Sequence, residues 1–250
     1  MLGFQTMKYW QMLESLRNKR IMVVVAHPDD EVLGLGATVY RLINDYDCIT
    51  HVVILGEGIT SRSEVRDIEK WEKELSIHKK NIEAARKKMG YHSVSTFNFP
   101  DNRFDSISLL DIIKVIEKEK ETFNPDVVFT HHGGDVNIDH QRTFEAVITS
   151  NRPLGTEKVN TIITFETMSG TEWRASSDPK HFTPNLIVEI SESGLAAKLD
   201  AMECYEFEKR DYPHPRSPEA LRIRAQMWGV ANGVQLAEAF QVIRIIERIF

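Results

Sequence analysis

The stretch "VVVAHPDDEVLGLGAT", Val23 to Thr38, places three carboxylates and a histidine directly behind an apolar run. That run reads as a buried strand, and a buried carboxylate needs a partner or must take up a proton. A positive charge is therefore implied, and a metal ion would supply it. His27 and Asp30 stand three residues apart on one turn, and His140 closes a second polar segment, "HHGGDVNIDH" (131–140). Two imidazoles and one carboxylate form a three-ligand catalytic zinc set that keeps a fourth position for water. The same donors accept Fe2+ or Co2+. Asp29 is left beside the metal, placed to act as general base toward that water. Glu31 reads as a first-turn acid complementing a helix dipole.

These residues need a scaffold that brings 27–30 and 140 together. Short β-branched runs, "IMVVV" (21–25), "THVVIL" (50–55), "VSTFNF" (94–99), "DVVFT" (126–130), "NTIITF" (160–165) and "LIVEI" (186–190), alternate with helical patterns. Val65, Ile68, Trp71, Leu75, His78, Ile82, Ala85 and Met89 recur at intervals of three and four, which predicts one long amphipathic helix stopped at Gly90. A second helix is expected over 106–122, ended by Asn124-Pro125, and a third from near Asp139. Strand alternating with helix means an α/β, Rossmann-like three-layer sandwich with a mainly parallel sheet. Ligands in such sheets bind beyond the strand carboxyl ends, where the strand order reverses. In a 3-2-1-4 order the first and fourth strands are neighbours there, so "AHPDDE" and "HHGGDVNIDH" should face each other. Gly34 and Gly36 in "LGLGAT" come too late for a dinucleotide loop and predict close helix-to-sheet packing.

With 250 residues, 42% hydrophobic and 27% charged, the chain has the composition of an ordinary globular protein, expected as a single domain over 1–250. A formal charge of -6 argues against a nucleic-acid or anionic-membrane partner. No segment has the apolar length of a membrane helix, and the N-terminus lacks a signal-peptide pattern. Cys48 and Cys204 fit no metal or redox spacing, which predicts a reduced, cytoplasmic protein. The Pro-rich "DYPHPRSPEA" (211–220) reads as an ordered loop between C-terminal helices.

At "AHPDDEVLGLGAT" and "NIDH" the sequence resembles the PIG-L/LmbE-like family of zinc-dependent N-acetylglucosamine deacetylases. "GEGITSR" (56–62), "FPDNRFD" (99–105) and "AQMWGVANGVQLAEAF" (225–240) are similar to later landmarks of that family, so the likeness runs along nearly the whole chain. The resemblance implies hydrolysis of an acetamido group on an amino sugar or its conjugate, with zinc on His27, Asp30 and His140 and Asp29 as base. It also implies a homo-oligomer.

Many relatives carry a histidine where Asn137 stands, and that histidine helps stabilise the tetrahedral oxyanion. The Asn137 amide donates a hydrogen bond but cannot deliver a proton. Either Asp29 both accepts the water proton and returns it to the leaving amine, or another histidine serves, with His131, His132 and His214 as candidates. His131 and Asp139 read as partners that orient ligands, and Glu31 is grouped with them. Arg62 and Asp101 match places where the family contacts substrate hydroxyls, Arg103 is a candidate for an anionic substituent, and His214 and Arg216 for the sugar site. Arg62 has a second reading as a surface partner of Glu57 or Glu64. Trp173 reads as a stacking face or as core. Two rival functions stay open: a metal-dependent amidase for another acyl amide, and a sugar- or nucleotide-binding module without turnover.

Overall fold

The computed structural model describes residues 11–155 and 157–247, so the first half of the segment read for a leader lies outside the described residues. After a short helix α1 (Gln11–Ser15) the chain alternates β1 (Arg20–Val25), α2 (Asp30–Tyr46), β2 (Ile49–Gly56), α3 (Glu72–Met89), β3 (Ser93–Phe99), α4 (Leu109–Phe123), β4 (Val127–His131), α5 (Ile138–Ser150) and β5 (Thr161–Phe165). It closes with β6 (Leu186–Glu189), α6 (Glu192–Met202), α7 (Pro218–Ala231) and β7 (Ala237–Ile245). The seven strands form one sheet in the order β3-β2-β1-β4-β5-β7-β6. β1 to β5 pair in parallel, and β7 runs antiparallel between β5 and β6.

A sheet covered on both faces needs strands that are apolar at every position, and β1 is such a strand. Ile21, Val23 and Val25 join the core beneath α2, α3 and α6, while Met22 and Val24 join the core beneath α4 and α5. Alternation of side chains along the strand produces that split. Gly34 makes the close approach expected of it: a Cβ there would meet the Phe165 ring at 2.1 Å. Gly36 instead faces α6, against Lys198.

One expectation is corrected. The long helix begins at Glu72 rather than near Val65, and Val65 and Ile68 are exposed. Local polar pairing holds the preceding segment as a loop: Arg66 makes two bonds to the buried Glu57, and Trp71 Nε1 donates to Ser63 Oγ. The C-terminal helices expected on either side of the Pro-rich loop are present as α6 and α7, and the chain then forms β7, with Leu236 to Phe240 buried.

Candidate active site

β1 and β4 are hydrogen-bonded neighbours, so the two polar loops that follow them meet at the reversal of strand order. The first loop is tied down by its own backbone. Ala26 N–H donates to His131 Nε2 at 3.0 Å, and His27 N–H donates to Asp30 Oδ2 at 2.8 Å. Asp29 sits at the head of α2 with φ 101°, a region that disfavours every residue with a Cβ. Its N–H is held by Glu31 Oε2 at 3.1 Å, and Glu31 Oε1 accepts the Tyr205 hydroxyl at 2.5 Å. Glu31 is therefore no solvated first-turn acid: it is buried and props the strained Asp29 peptide.

One ligand atom each from His27, Asp30 and His140 lies within 4.8 Å of the others, and all three residues are buried. Asp30 Oδ2 is 3.5 Å from His27 Nδ1 and 3.4 Å from His140 Nε2. The far nitrogens are backed by carboxylates. His27 Nε2 is 2.8 Å from Asp139 Oδ2, and His140 Nδ1 is 3.1 Å from Asp135 Oδ2. Such pairing fixes the ring planes and leaves Nδ1 of His27 and Nε2 of His140 turned inward. This donor set fits a divalent cation of the zinc type. Asp139 is itself immobilised, accepting from Asn102 N–H at 2.6 Å and Phe104 N–H at 2.9 Å. His27, Asp101 and Asp139 form a second close group on the opposite side of the His27 ring.

His131 stacks on His140 with ring centroids 3.9 Å apart and planes 6° off parallel. Its Nε2 accepts the Ala26 N–H and its Nδ1 faces Thr167 Oγ1 at 3.0 Å, so both nitrogens are engaged. Burial and the His140 charge hold its pKa down to about 4, which keeps it neutral. His140 goes the other way: burial opposes its charge, but Asp30 and Asp135 lift it to about 9. Burial likewise disfavours charge on Asp30, yet His140 and His131 hold its carboxyl well below the usual range.

Asp29 joins His27, Asp30 and His140 in lining a cavity of about 170 Å³ bordered by the loops after β1, β2, β3, β4 and β5 and by the α6–α7 connection. Arg216 Nη1 donates to Asp29 Oδ2 at 2.9 Å. Burial pushes the Asp29 carboxyl well up, Arg216 opposes this, and Asp30, Glu208 and Glu31 add to the rise. A carboxyl raised in this way accepts a proton readily and returns it. A larger hollow of about 520 Å³ lies around Lys120, Arg152 and Glu157, away from the strand carboxyl ends, so size alone does not locate the site.

Asn137 caps α5: its Oδ1 accepts the Asp139 N–H at 2.8 Å, which leaves its amide nitrogen facing Asn102 Oδ1 at 3.1 Å on the cavity wall. Asp101 also borders the cavity, 3.4 Å from His27 Nε2, with Ser61 Oγ donating to it at 2.6 Å. Arg62 lines the cavity but pairs with Glu208 at 2.5 Å rather than with Glu57 or Glu64.

Other expected residues fall elsewhere. His132 is turned out of the site, its Nε2 on the Lys180 carbonyl at 2.8 Å and its ring against Phe182. Successive residues at a strand end face opposite sides, and His131 takes the inward one. Arg103 is exposed and donates to the Glu64 carbonyl, so it offers nothing to the cavity. His214 does not border the cavity; its Nδ1 accepts the Arg216 N–H at 3.2 Å and so shapes the loop that carries Arg216. Trp173 is 58% exposed and is neither core nor cavity wall. Asp135, Glu208 and Arg210 were not anticipated. Asp135 lay within a segment already marked as polar, whereas Glu208 and Arg210 have no local signal.

A mainly parallel sheet with a buried His2Asp cluster and an adjacent carboxylate at its switch point has the donor set of metal-dependent hydrolases. The PIG-L family (GlcNAc-PI de-N-acetylase) matches residues 22–150, and the chain belongs to that family. It is 29% identical over 198 residues to an uncharacterized deacetylase, YaiS, of Escherichia coli K12, covering 76% of this chain and 94% of that one. Its fold is shared with the N,N'-diacetylchitobiose deacetylase of Pyrococcus horikoshii, at a TM-score of 0.70 and 20% identity over 96% of this chain and 95% of the other. It is shared as well with GalB, the 4-carboxy-2-hydroxymuconate hydratase of Pseudomonas putida, at 0.67 and 22% identity over 93% and 100%. The α/β architecture is thus that of the family, and one fold carries more than one reaction.

Proposed function

We propose that this chain is a zinc-dependent N-deacetylase that removes the acetyl group from an amino sugar or amino-sugar conjugate. The observation that carries this reading is the meeting of His27, Asp30 and His140 with Asp29 at one cavity, in a member of a de-N-acetylase family. His27 through Nδ1, His140 through Nε2 and the Asp30 carboxylate would hold the ion. When bound, zinc supplies Lewis-acid polarisation of the acetyl carbonyl and acidifies water.

The chain's own residues do the rest. Asp29 takes a proton from the attacking water as the water oxygen bonds to the acetyl carbon. Arg216 fixes the direction of the Asp29 carboxylate. The Asn137 amide nitrogen donates toward the developing oxyanion, and such a donor contributes roughly 10²–10³ in rate. As the C–N bond breaks, Asp29 returns its proton to the amine, since His132 faces away and Asn137 cannot deliver one. Acetate and a free amine leave. Asp101 and Asn102 at the cavity wall meet sugar hydroxyls.

Among the described residues no helix is long and apolar enough to cross a membrane. We read the whole chain as one domain of a cytoplasmic enzyme that keeps Cys48 and Cys204 reduced, and we carry over the homo-oligomer implied by the resemblance. Acetate release from N-acetylglucosamine and N,N'-diacetylchitobiose, set against non-sugar acetamides and an unsaturated dicarboxylic acid, tests the function. Turnover of the sugars alone supports it. Turnover only of other amides, or hydration of the unsaturated acid, overturns it.

A further inference from the structure

Glu208 lies on the α6–α7 connection with only 8% of its side chain exposed, yet it borders the active-site cavity. Two arginines from distant parts of the chain converge on it at short range. Arg62 Nη2 is 2.5 Å from Oε1 and Arg216 Nη1 is 2.9 Å from Oε2. Arg210 Nη2 stands at 3.9 Å from Oε2. His78 Nε2 is 3.8 Å from Oε1 behind it, but burial and Arg62 hold that imidazole down to about 4, so arginines are the positive partners. Arg216 is also bound within the protein, its Nε donating to Ser169 Oγ at 2.7 Å and its Nη1 to Asp29 as well. Arg62 donates as well to the Phe207 carbonyl at 2.9 Å.

Three guanidiniums around a sugar-sized cavity would ordinarily mark a site for phosphate or carboxylate, because arginine forks match those groups. Here one carboxylate has taken that role. An anionic substituent that claimed Arg62 or Arg216 would take from the buried Glu208 one of its two short-range partners, and breaking a buried pair from one side is unfavourable. Exclusion of this kind is how a site discriminates against a close competitor.

We infer that Glu208 is a specificity residue which restricts the site to uncharged amino-sugar substrates by occupying the arginines that a phosphorylated or carboxylated sugar would require. The inference rests on the deacetylase reading for its substrate class, but the pairing it invokes is testable by binding alone.

The experiment compares N-acetylglucosamine with its 6-phosphate as substrates, and glucosamine with glucosamine 6-phosphate as ligands, for the zinc-loaded wild type and Glu208→Gln. The wild type is expected to favour the uncharged substrate by about tenfold or more in kcat/KM. Glu208→Gln is expected to narrow that ratio by about tenfold, through KM for the phosphate ester, and to bind glucosamine 6-phosphate more tightly relative to glucosamine by a similar factor. Equal or better use of the phosphate ester by the wild type overturns the inference without recourse to any variant. So does a ratio of ligand affinities unchanged by Glu208→Gln in a protein whose melting shows it folded. No acetate from either sugar defeats the deacetylase reading instead, and the ligand comparison then still decides the role of Glu208.

Discussion

Arg216 Nη1 lies 2.9 Å from Asp29 Oδ2, across 187 positions of sequence. Asp29 is held on one side by this guanidinium and on the other by a strained peptide whose N–H is fixed by Glu31. A base placed so has one direction in which to take a proton. Asp29→Asn is expected to lower kcat by about 10²–10⁴ with bound zinc unchanged. Acetate release and metal content measured on the same preparation check it, and full activity in the variant would remove Asp29 from the mechanism.

Replacing Arg216 by Gln leaves Asp29 in place but releases its carboxylate. The expected result is a fall in kcat larger than any rise in KM for an uncharged sugar, because the lost interaction acts on the reacting group. Steady-state kinetics on N-acetylglucosamine separate the two parameters. A pure KM effect would place Arg216 on the substrate instead.

Asp135 and Asp139 back the outer nitrogens of His140 and His27. Asp135→Asn and Asp139→Asn are each expected to weaken zinc binding by about 10–100-fold. Competition with a chromogenic chelator reads the affinity directly. Exhaustive chelation of the wild type should abolish acetate release, and added zinc should restore it.

Gly34 is the only residue that lets α2 lie on Phe165, since a Cβ there would meet the ring at 2.1 Å. Gly34→Ala is expected to destabilise the fold by about 1–3 kcal/mol, the usual cost of overpacking a core. Urea unfolding measures it, and a neutral effect would mean that Phe165 can turn aside.

Burial raises the Glu31 carboxyl to about 7 from 4.5, with the Tyr205 hydroxyl opposing the rise. The folded state therefore keeps this proton at pH values where the unfolded chain has lost it, so Glu31 makes stability fall as pH rises from about 4.5 to about 7. The full effect is roughly 3 kcal/mol. Glu31→Gln should flatten that part of the profile, seen as a smaller drop in urea midpoint between pH 5 and pH 7.5. An unchanged slope would assign it to another group.

The meeting of His27, Asp30 and His140 was legible in the sequence because its chemistry is local at both ends. "HPDDE" places His27, Asp29 and Asp30 on a single turn after a strand that can only be buried, and Asp139 and His140 sit together at the head of α5. The alternation of strands and helices pointed to an α/β sheet, and in the usual 3-2-1-4 order of such sheets, which the structure has, β1 and β4 are neighbours and bring the two segments face to face. Gly34 was readable for the same reason, since a glycine inside a helix pattern signals a close approach.

What only the tertiary structure decided is which way each side chain turns and with whom it pairs. His131 and His132 are adjacent and chemically identical, yet strand geometry sends one against His140 and the other to the Lys180 carbonyl. Arg62 and Arg216 were marked in the sequence as site residues, but nothing there pairs them with Glu208. They meet because two separate connections, β2–α3 and α6–α7, converge at one end of the sheet, where a buried carboxylate must find cations wherever the fold has put them.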